Sequence, residues 1–388
     1  MKGKKKITVL IIINNYLPGY KAGGPLSSII NLIDNLSAEY TFKVLSSDRD
    51  LGDIEPYKNI STNVWVQKEN YEMCYVASGK RKFIDTIKLV NLAAADIVYA
   101  QSFFSPIFSI VIVIASKLSF IKAPKLIIAP RGEAFEDALQ IKPFKKSVYL
   151  KLANIFNFLK NIRWHASTEM EKQAIVRNFK ISEEKIFVAL NLPKKRKGKR
   201  TICSNNNEEN FLKIVFLSRI SKIKNLGFTL DVLKELQVDV IYDIFGPIED
   251  DMLWKDCLAK IKLLPPNVRV TYKGTVKKDQ VEPTFAKYDL MFLPTFTENY
   301  GHAIVECLST GTPVLISDNT PWRQLEQKGL GWDISLDKKE EYVRAIKTMS
   351  KLSIQEKANK RTEIVQKFEE ILYDSETIED TKKLFDFA

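Results

Sequence analysis

Apolar residues come along this chain in short β-rich runs, separated by stretches in which they recur every three to four positions. The runs at 7–13, 42–46, 72–76, 96–100, 125–129 and 163–166 predict buried strands, and the stretches near 25–37, 82–94, 104–120, 144–160 and 168–179 predict helices between them. The same style returns later, with strands expected at 213–217, 240–245, 268–272, 289–293 and 313–316. Helices are expected near 225–236, 249–262, 278–286, 301–310, 321–328 and 338–350. Strand–helix alternation of this kind means parallel sheets covered on both faces. The pattern lapses at 193–210, where a basic run and then a polar Ser/Asn/Glu run read as a linker. The expected fold is α/β: two doubly wound, Rossmann-like domains with a cleft between them. Their bounds are 1–192 and 211–388, with the last helix able to pack back on the first domain. No internal repeat is visible.

A length of 388 residues suits two domains, and 45% hydrophobic with 27% charged residues excludes wholesale disorder. The only histidines, His165 and His302, leave no basis for a multi-His zinc site. Cys74, Cys203, Cys257 and Cys307 form no CxxC and no disulfide framework, which fits a reducing compartment. The Lys-rich start is followed by an apolar run of only seven residues, interrupted by Thr8, and then Asn14-Asn15, so it reads as a first strand rather than a signal peptide. The most apolar stretch, 103–120, is broken by Pro106, several serines and Lys117. It falls short of the ~20 clean apolar residues a bilayer span needs and reads as a buried helix. A cytoplasmic protein is expected, soluble or peripheral on the cytoplasmic face of the inner membrane.

Charge changes the picture. Residues 1–200 hold 33 Lys/Arg and 17 Asp/Glu, whereas 201–388 hold 26 and 30. The excess sits in one half and calls for an anionic partner there: phospholipid, a lipid-linked phosphate or nucleic acid. Residues 138–168 have no acid but carry Lys142, Lys145, Lys146, Lys151, Lys160 and Arg163. Val148, Leu152, Ile155, Phe156, Leu159 and Ile162 recur there at helical spacing. This is either a basic amphipathic helix for an anionic membrane or a core-facing helix with a solvated back. The basic run before residue 200 has no interleaved aromatic for base stacking, so a solvated linker is the better reading of it.

Ligands of doubly wound sheets bind beyond the carboxyl ends of the strands. After the first strand, Gly23-Gly24-Pro25 opens a helix whose free N–H groups favour an anion, although a plain tight turn reads equally well. After 213–217 come Arg219, Lys222 and Lys224, cations able to clamp a diphosphate. After 289–293 come Glu298 and Glu306. On a helix starting near Asn299 they would lie about 12 Å apart along the axis, too far to flank one bond as glycosidase carboxylates do. They suit two separated parts of one extended ligand. Asp48-Arg49-Asp50 is a DxD tripeptide, read as a solvated loop rather than a metal site. His165 precedes a capping box, Thr168 with Glu171, and is either structural or an acceptor-site group.

Glu298 and Glu306 with Gly301 between them and Arg219/Lys224 upstream resemble the retaining nucleotide-sugar glycosyltransferases of family 4, which have the GT-B fold. Phe245-Gly246-Pro247, the 272–276 segment and Cys307 to Val314 support this. Pro130-Arg131-Gly132-Glu133, Trp164 to Glu171, Thr320-Pro321-Trp322 and Gly331-Trp332 resemble the subgroup that builds bacterial surface polysaccharides such as lipopolysaccharide or capsule. The resemblance implies a metal-independent hexosyltransferase that needs no cofactor, taking a nucleotide-sugar donor (UDP-sugar ahead of GDP-sugar) to a glycan or lipid-linked acceptor. It implies that Arg219 and Lys224 hold the diphosphate. Glu298 would contact the transferred sugar, helped by the backbone of Asn299, Tyr300, Gly301 and His302, and Glu306 would take the ribose hydroxyls. Gly246 with Lys273, Thr275 and Val276 would face the base, and Gly23/Gly24 would approach the phosphates. Arg131, Glu133 and His165 would lie on the acceptor side, with Arg131-Gly132 standing where many members have a histidine. The alternatives are a nucleotide-sugar 2-epimerase or phosphorylase-like enzyme and, outside enzymes, a nucleic-acid-binding protein.

Overall fold

The computed structural model describes residues 6–122, 125–195, 211–373 and 375–386; most of the expected linker lies outside them. The chain divides into two compact units, residues 1–196 with 375–388, and residues 197–374.

In the first unit the strands are β1 (Thr8–Ile13), β2 (Thr41–Ser47), β3 (Val66–Gln67), β4 (Tyr71–Val76), β5 (Ile97–Gln101), β6 (Lys125–Ala129), β7 (Ile162–Ala166) and β8 (Ile186–Val188). They form one sheet in the order β3-β4-β2-β1-β5-β6-β7-β8, parallel throughout except for the β3–β4 pair. The uninterrupted apolar run of β1 follows from its central place. Val9 and Ile11 join one core with Leu26, Ile29 and Ile33 of the helix Gly24–Leu36, while Leu10 and Ile12 join another with Leu89, Val90 and Ile175. Successive side chains point to opposite faces, and both faces are covered. The apolar stretch 103–120 is a π-turn, Pro106–Ile110, continued by the helix Val111–Lys117. Ser105 caps it, and Phe108, Ile112, Val113 and Ala115 are buried. Among the described residues no helix is long and apolar enough to cross a membrane.

The last helix, Ser375–Phe385, belongs to this unit. Leu384 and Phe385 are buried, the Phe385 ring meets Tyr40 and Tyr99 edge-on at 5.4 and 5.6 Å, and the Tyr40 hydroxyl donates to Asp386 at 2.9 Å.

The second unit has β9 (Leu212–Leu217), β10 (Val240–Phe245), β11 (Val268–Gly274), β12 (Leu290–Leu293), β13 (Val314–Ser317) and β14 (Gly331–Ile334). Their order is β11-β10-β9-β12-β13-β14, and every neighbouring pair is parallel. Strand addition runs outward one way from β9 and then resumes on its other side with β12. The crevice at the carboxyl ends of β9 and β12 is therefore this unit's topological switch point. In the first unit β1 and β5 stand in the same relation.

Candidate active site

Two residues singled out in the sequence, Lys224 and Glu298, meet at the β9/β12 switch point, and a third, Arg219, lies on the same β9 loop. The loop leaving β9 carries Arg219 and Lys224, and the loop leaving β12 carries Glu298. The two loops are laced together. The Ile223 carbonyl accepts from Phe296 N at 2.8 Å and from the Thr295 hydroxyl at 2.9 Å, and the Asn225 amide donates to the Pro294 carbonyl at 3.1 Å. This lacing brings the Lys224 ammonium to 2.5 Å from the Glu298 carboxylate, with both side chains largely buried. A charge-assisted contact so shielded from water holds both groups in one geometry.

Arg219 is different. Its side chain is 54% exposed, and its guanidinium donates to Glu249 at 2.8 Å. Glu249 has no counterpart among the expected site residues, because nothing in its local sequence distinguishes it from any loop acid. The backbone brings it there, since Ile220 and Ile248 form a bridge and Glu249 N donates to the Ile220 carbonyl at 3.1 Å.

The remaining donor-side candidates lie on the same carboxyl edge. Gly246 leaves β10 at φ 138°, and a Cβ there would stand 1.9 Å from the Ser218 carbonyl oxygen, so only glycine lets these loops close up. Tyr272 donates to the Gly246 carbonyl at 2.9 Å. Lys273 and Thr275 are exposed at the end of β11 and beyond it, and Val276 is half-buried. Lys273 comes within 3.9 Å of Asp243, whose other oxygen is buried without a partner.

The helix after Glu298 departs from expectation. It runs only His302–Leu308, preceded by Gly301 in the left-handed region at φ 80°. The stretch from Asn299 to Gly301 is not helical, so the 12 Å axial offset between Glu298 and Glu306, derived for a continuous helix, does not apply. The Tyr300 carbonyl instead accepts from the Trp322 indole at 2.6 Å, and Tyr300 itself is buried against that ring. His302 is half-buried with its ring against Tyr300, and Asn299 keeps a buried side-chain oxygen without a partner.

In the first unit Gly23 (φ 62°) and Gly24 open the helix at the β1 carboxyl end, and a Cβ on Gly23 would meet nothing within 4 Å. The DxD segment is not solvated, contrary to the sequence reading. Asp48 and Asp50 are both buried. Asp50 accepts from Tyr20 N, Lys21 N and Leu51 N at 2.8–3.2 Å, and Asp48 from Ser78 and Arg49. The Asp50 carboxylate anchors the loop that leads to Gly23. No cluster suited to a metal ion occurs among the described residues.

The acceptor-side candidates are each hydrogen-bonded into the carboxyl edge of the first unit's sheet, Arg131 and His165 through one chain and Glu133 through another. Arg131 donates to Gln101, Ser167, Asn191 and the Tyr99 hydroxyl at 2.5–2.8 Å. The Tyr99 hydroxyl in turn donates to His165 Nδ1 at 2.5 Å, and His165 Nε2 donates to the Ala189 carbonyl at 2.8 Å. That chain assigns the ring proton to Nε2, because a carbonyl can only accept. Burial, then the nearby Arg131 charge, push the imidazole down to about 3. Of the two readings of His165, the structural one describes this geometry. Glu133 accepts from Ser102 Oγ, Phe103 N and Phe104 N at 2.6–3.1 Å, so its carboxylate stitches the β6 loop to the β5 loop. Glu171 is a correction too. Thr168 accepts from Glu171 N, but the carboxylate reaches Ser167 N at 2.7 Å and Gly132 N at 2.5 Å instead of closing the box on Thr168.

With this geometry in place, residues 199–368 match the glycosyl transferases group 1 family. That match spans nearly the whole of the second unit. Across 269 residues the chain is 25% identical to an uncharacterised 41.2 kDa protein in the cps region of Klebsiella pneumoniae, covering 66% of this chain and 69% of that one. Among solved structures it is similar to Anabaena Alr3699/HepE in complex with UDP-glucose (TM-score 0.68, 16% identity, 98% of this chain and 100% of that one). It is also similar to the lipopolysaccharide outer core galactosyltransferase WaaB (TM-score 0.63, 15% identity, 98% and 99%). The fold is GT-B. In the matched region the Lys224–Glu298 pair thus occupies the switch point, where ligands of such sheets bind, with Arg219 and the Gly246 turn beside it on the β9 and β10 loops.

Proposed function

We propose that this protein is a retaining glycosyltransferase that moves a sugar from a nucleotide-sugar donor, a UDP-sugar ahead of a GDP-sugar, to a glycan or lipid-linked acceptor in bacterial surface-polysaccharide biosynthesis. The observation that carries the reading is the Lys224–Glu298 pair at the β9/β12 switch point, with Arg219 on the same β9 loop, in the region that matches the group 1 family. In this reading Lys224 and Arg219 bind the diphosphate and stabilise the charge that grows on it as the sugar leaves. Arg219 exchanges the exposed Glu249 carboxylate for phosphate oxygens, a cheap exchange because exposed pairs are worth at most about 1 kcal/mol. Glu298, held by Lys224, accepts hydrogen bonds from the sugar hydroxyls, and Glu306 takes the ribose. Two cations supply what a divalent metal would otherwise provide, so transfer proceeds without one. The UDP-glucose bound by Alr3699/HepE supports the donor class, and the lipopolysaccharide role of WaaB and the cps-region relative support the acceptor class.

The test is a thermal-shift panel of nucleoside diphosphates, followed by donor hydrolysis with and without EDTA. UDP at 100 times its Kd should stabilise the fold by ~2.7 kcal/mol. Equal, negligible shifts across UDP, GDP and ADP would defeat the donor assignment. Loss of turnover in EDTA restored by Mn²⁺ would defeat metal independence.

A further inference from the structure

The helix Pro143–Ile155 turns a row of large apolar side chains to solvent. Phe144 is 79% and Ile155 70% exposed, and Val148 and Leu152 are exposed as well. At roughly 100° per residue these four fall within about 80° of arc, along about 16 Å of helix. Phe156, exposed at the C-cap, extends the row. The opposite side is the packed one. Ala153 is fully buried, and Tyr149 and Leu150 lie on the core around Phe103 and Trp164. Lys146 also faces inward, donating to the Ala138 carbonyl at 2.6 Å and standing 4.9 Å from the Phe104 ring. The sequence-expected apolar face therefore splits: Leu159 and Ile162 lie beyond the helix end and are buried, whereas Val148, Leu152, Ile155 and Phe156 are exposed. Soluble proteins seldom leave a contiguous apolar row in water unless something covers it.

Charge says what covers it. Lys145 and Lys151 flank the row on either side and are exposed, with Lys142 and Lys160 at its ends. None of these four has an ion-pair partner among the described residues, and 138–168 holds no acid at all. We propose that this face docks on an anionic lipid bilayer, with Phe144, Val148, Leu152 and Ile155 in the headgroup–acyl boundary and Lys145 and Lys151 on the acidic headgroups. A second copy is a poorer occupant, because a twofold contact on this face would oppose the same unpaired lysines. The docking goes beyond the transfer reaction and uses none of the residues assigned to it.

The measurement is flotation of the full-length protein with vesicles of equimolar phosphatidylglycerol and phosphatidylcholine, and with pure phosphatidylcholine, at low and physiological salt. Two variants are compared, Lys145→Gln with Lys151→Gln, and Phe144→Ser with Ile155→Ser. All four side chains are solvent-exposed, so both variants should melt like the wild type. At about 1 kcal/mol per lysine, the first should lower partitioning onto anionic vesicles ~30-fold. The second should lower it at least ~10-fold. In the wild type, amide exchange across 143–156 should slow on anionic vesicles. Failure of the wild type to bind anionic vesicles at low salt overturns the proposal, as does binding that both variants retain. Self-association abolished by the Phe144/Ile155 variant without vesicle binding would assign the face to a second copy. Duplex-DNA binding lost only in the lysine variant, again without vesicle binding, would assign it to nucleic acid. None of these readouts requires turnover, so they stand apart from the fate of the proposed reaction.

Discussion

Replacing Glu298 with glutamine removes one charge and keeps the shape, and the consequences for stability and for ligand binding should run in opposite directions. In the native protein Lys224 and Glu298 sit 2.5 Å apart with side-chain exposures of 11% and 17%. At an effective dielectric of ~20 that separation corresponds to about 7 kcal/mol of gross attraction. The desolvation of both ions and the hydrogen bond that a glutamine oxygen still accepts from Lys224 offset most of it. The net cost should be about 2 kcal/mol. For a unit of this size, 1 kcal/mol shifts Tm by ~2–4 °C, so calorimetry should find a fall of ~4–8 °C. UDP binding by titration calorimetry should hold or tighten a few-fold, because Lys224 no longer divides its charge between Glu298 and phosphate. Transfer turnover should drop at least ~100-fold, the sugar having lost a charged acceptor in the transition state. A UDP affinity lowered tenfold would refute the division of labour. An unchanged Tm would refute the claim that the pair holds the two loops together.

Three further outcomes test the scaffold. Burial holds His165 near pH 3 while the unfolded chain titrates near 6.5, so its stabilising contribution is complete above pH 6.5 and is lost as pH falls. The slope should be ~1.4 kcal/mol per pH unit, and denaturant unfolding of wild type against His165→Gln should show the gap closing from pH 7 to 5. A gap that stays constant would contradict a neutral buried ring. Gly246→Ala puts a methyl 1.9 Å from the Ser218 carbonyl at a φ only glycine tolerates, so a loss of about 2–4 kcal/mol is expected in chemical denaturation; a loss under ~1 kcal/mol would show that the turn can relax. Asp50→Ala strands three backbone N–H donors and should cost about 2 kcal/mol without any Mn²⁺-dependent recovery, while a silent substitution would return that segment to a solvated loop.

The central strands were legible in the sequence to within a residue or so: 240–245 coincides with β10, 125–129 with β6, and 7–13 exceeds β1 by one residue. Buried parallel strands are continuous apolar runs, and such runs need no knowledge of their neighbours to be seen. The edge strands β3, β8 and β14 were not, because two to four residues at a sheet edge carry no period. The long helix Ile354–Leu372 escaped as well. Its apolar positions are diluted by charge, and its buried anchors include Arg361, which donates to Thr312 at 3.0 Å.

The placement of Arg219, Lys224 and Glu298 beyond strand ends also came from sequence, since the strands and the polar residues behind them are local features. What sequence alone determined, then, was the alternation, the chain order of the loops and the chemical groups they carry. Tertiary structure decided which of those groups meet. Lys224 finds Glu298 seventy-four residues away because β9 and β12 are neighbours in the sheet, and Arg219 finds Glu249 because β9 and β10 are. The same packing took Arg131, Glu133 and His165, alike in sequence to exposed site residues, and spent their polar atoms on one another's loops. It also turned Phe144 and Ile155 outward while burying Leu159, although all share one helical spacing. Periodicity says which side chains share a face, but only the position of the next layer says whether that face meets protein or water.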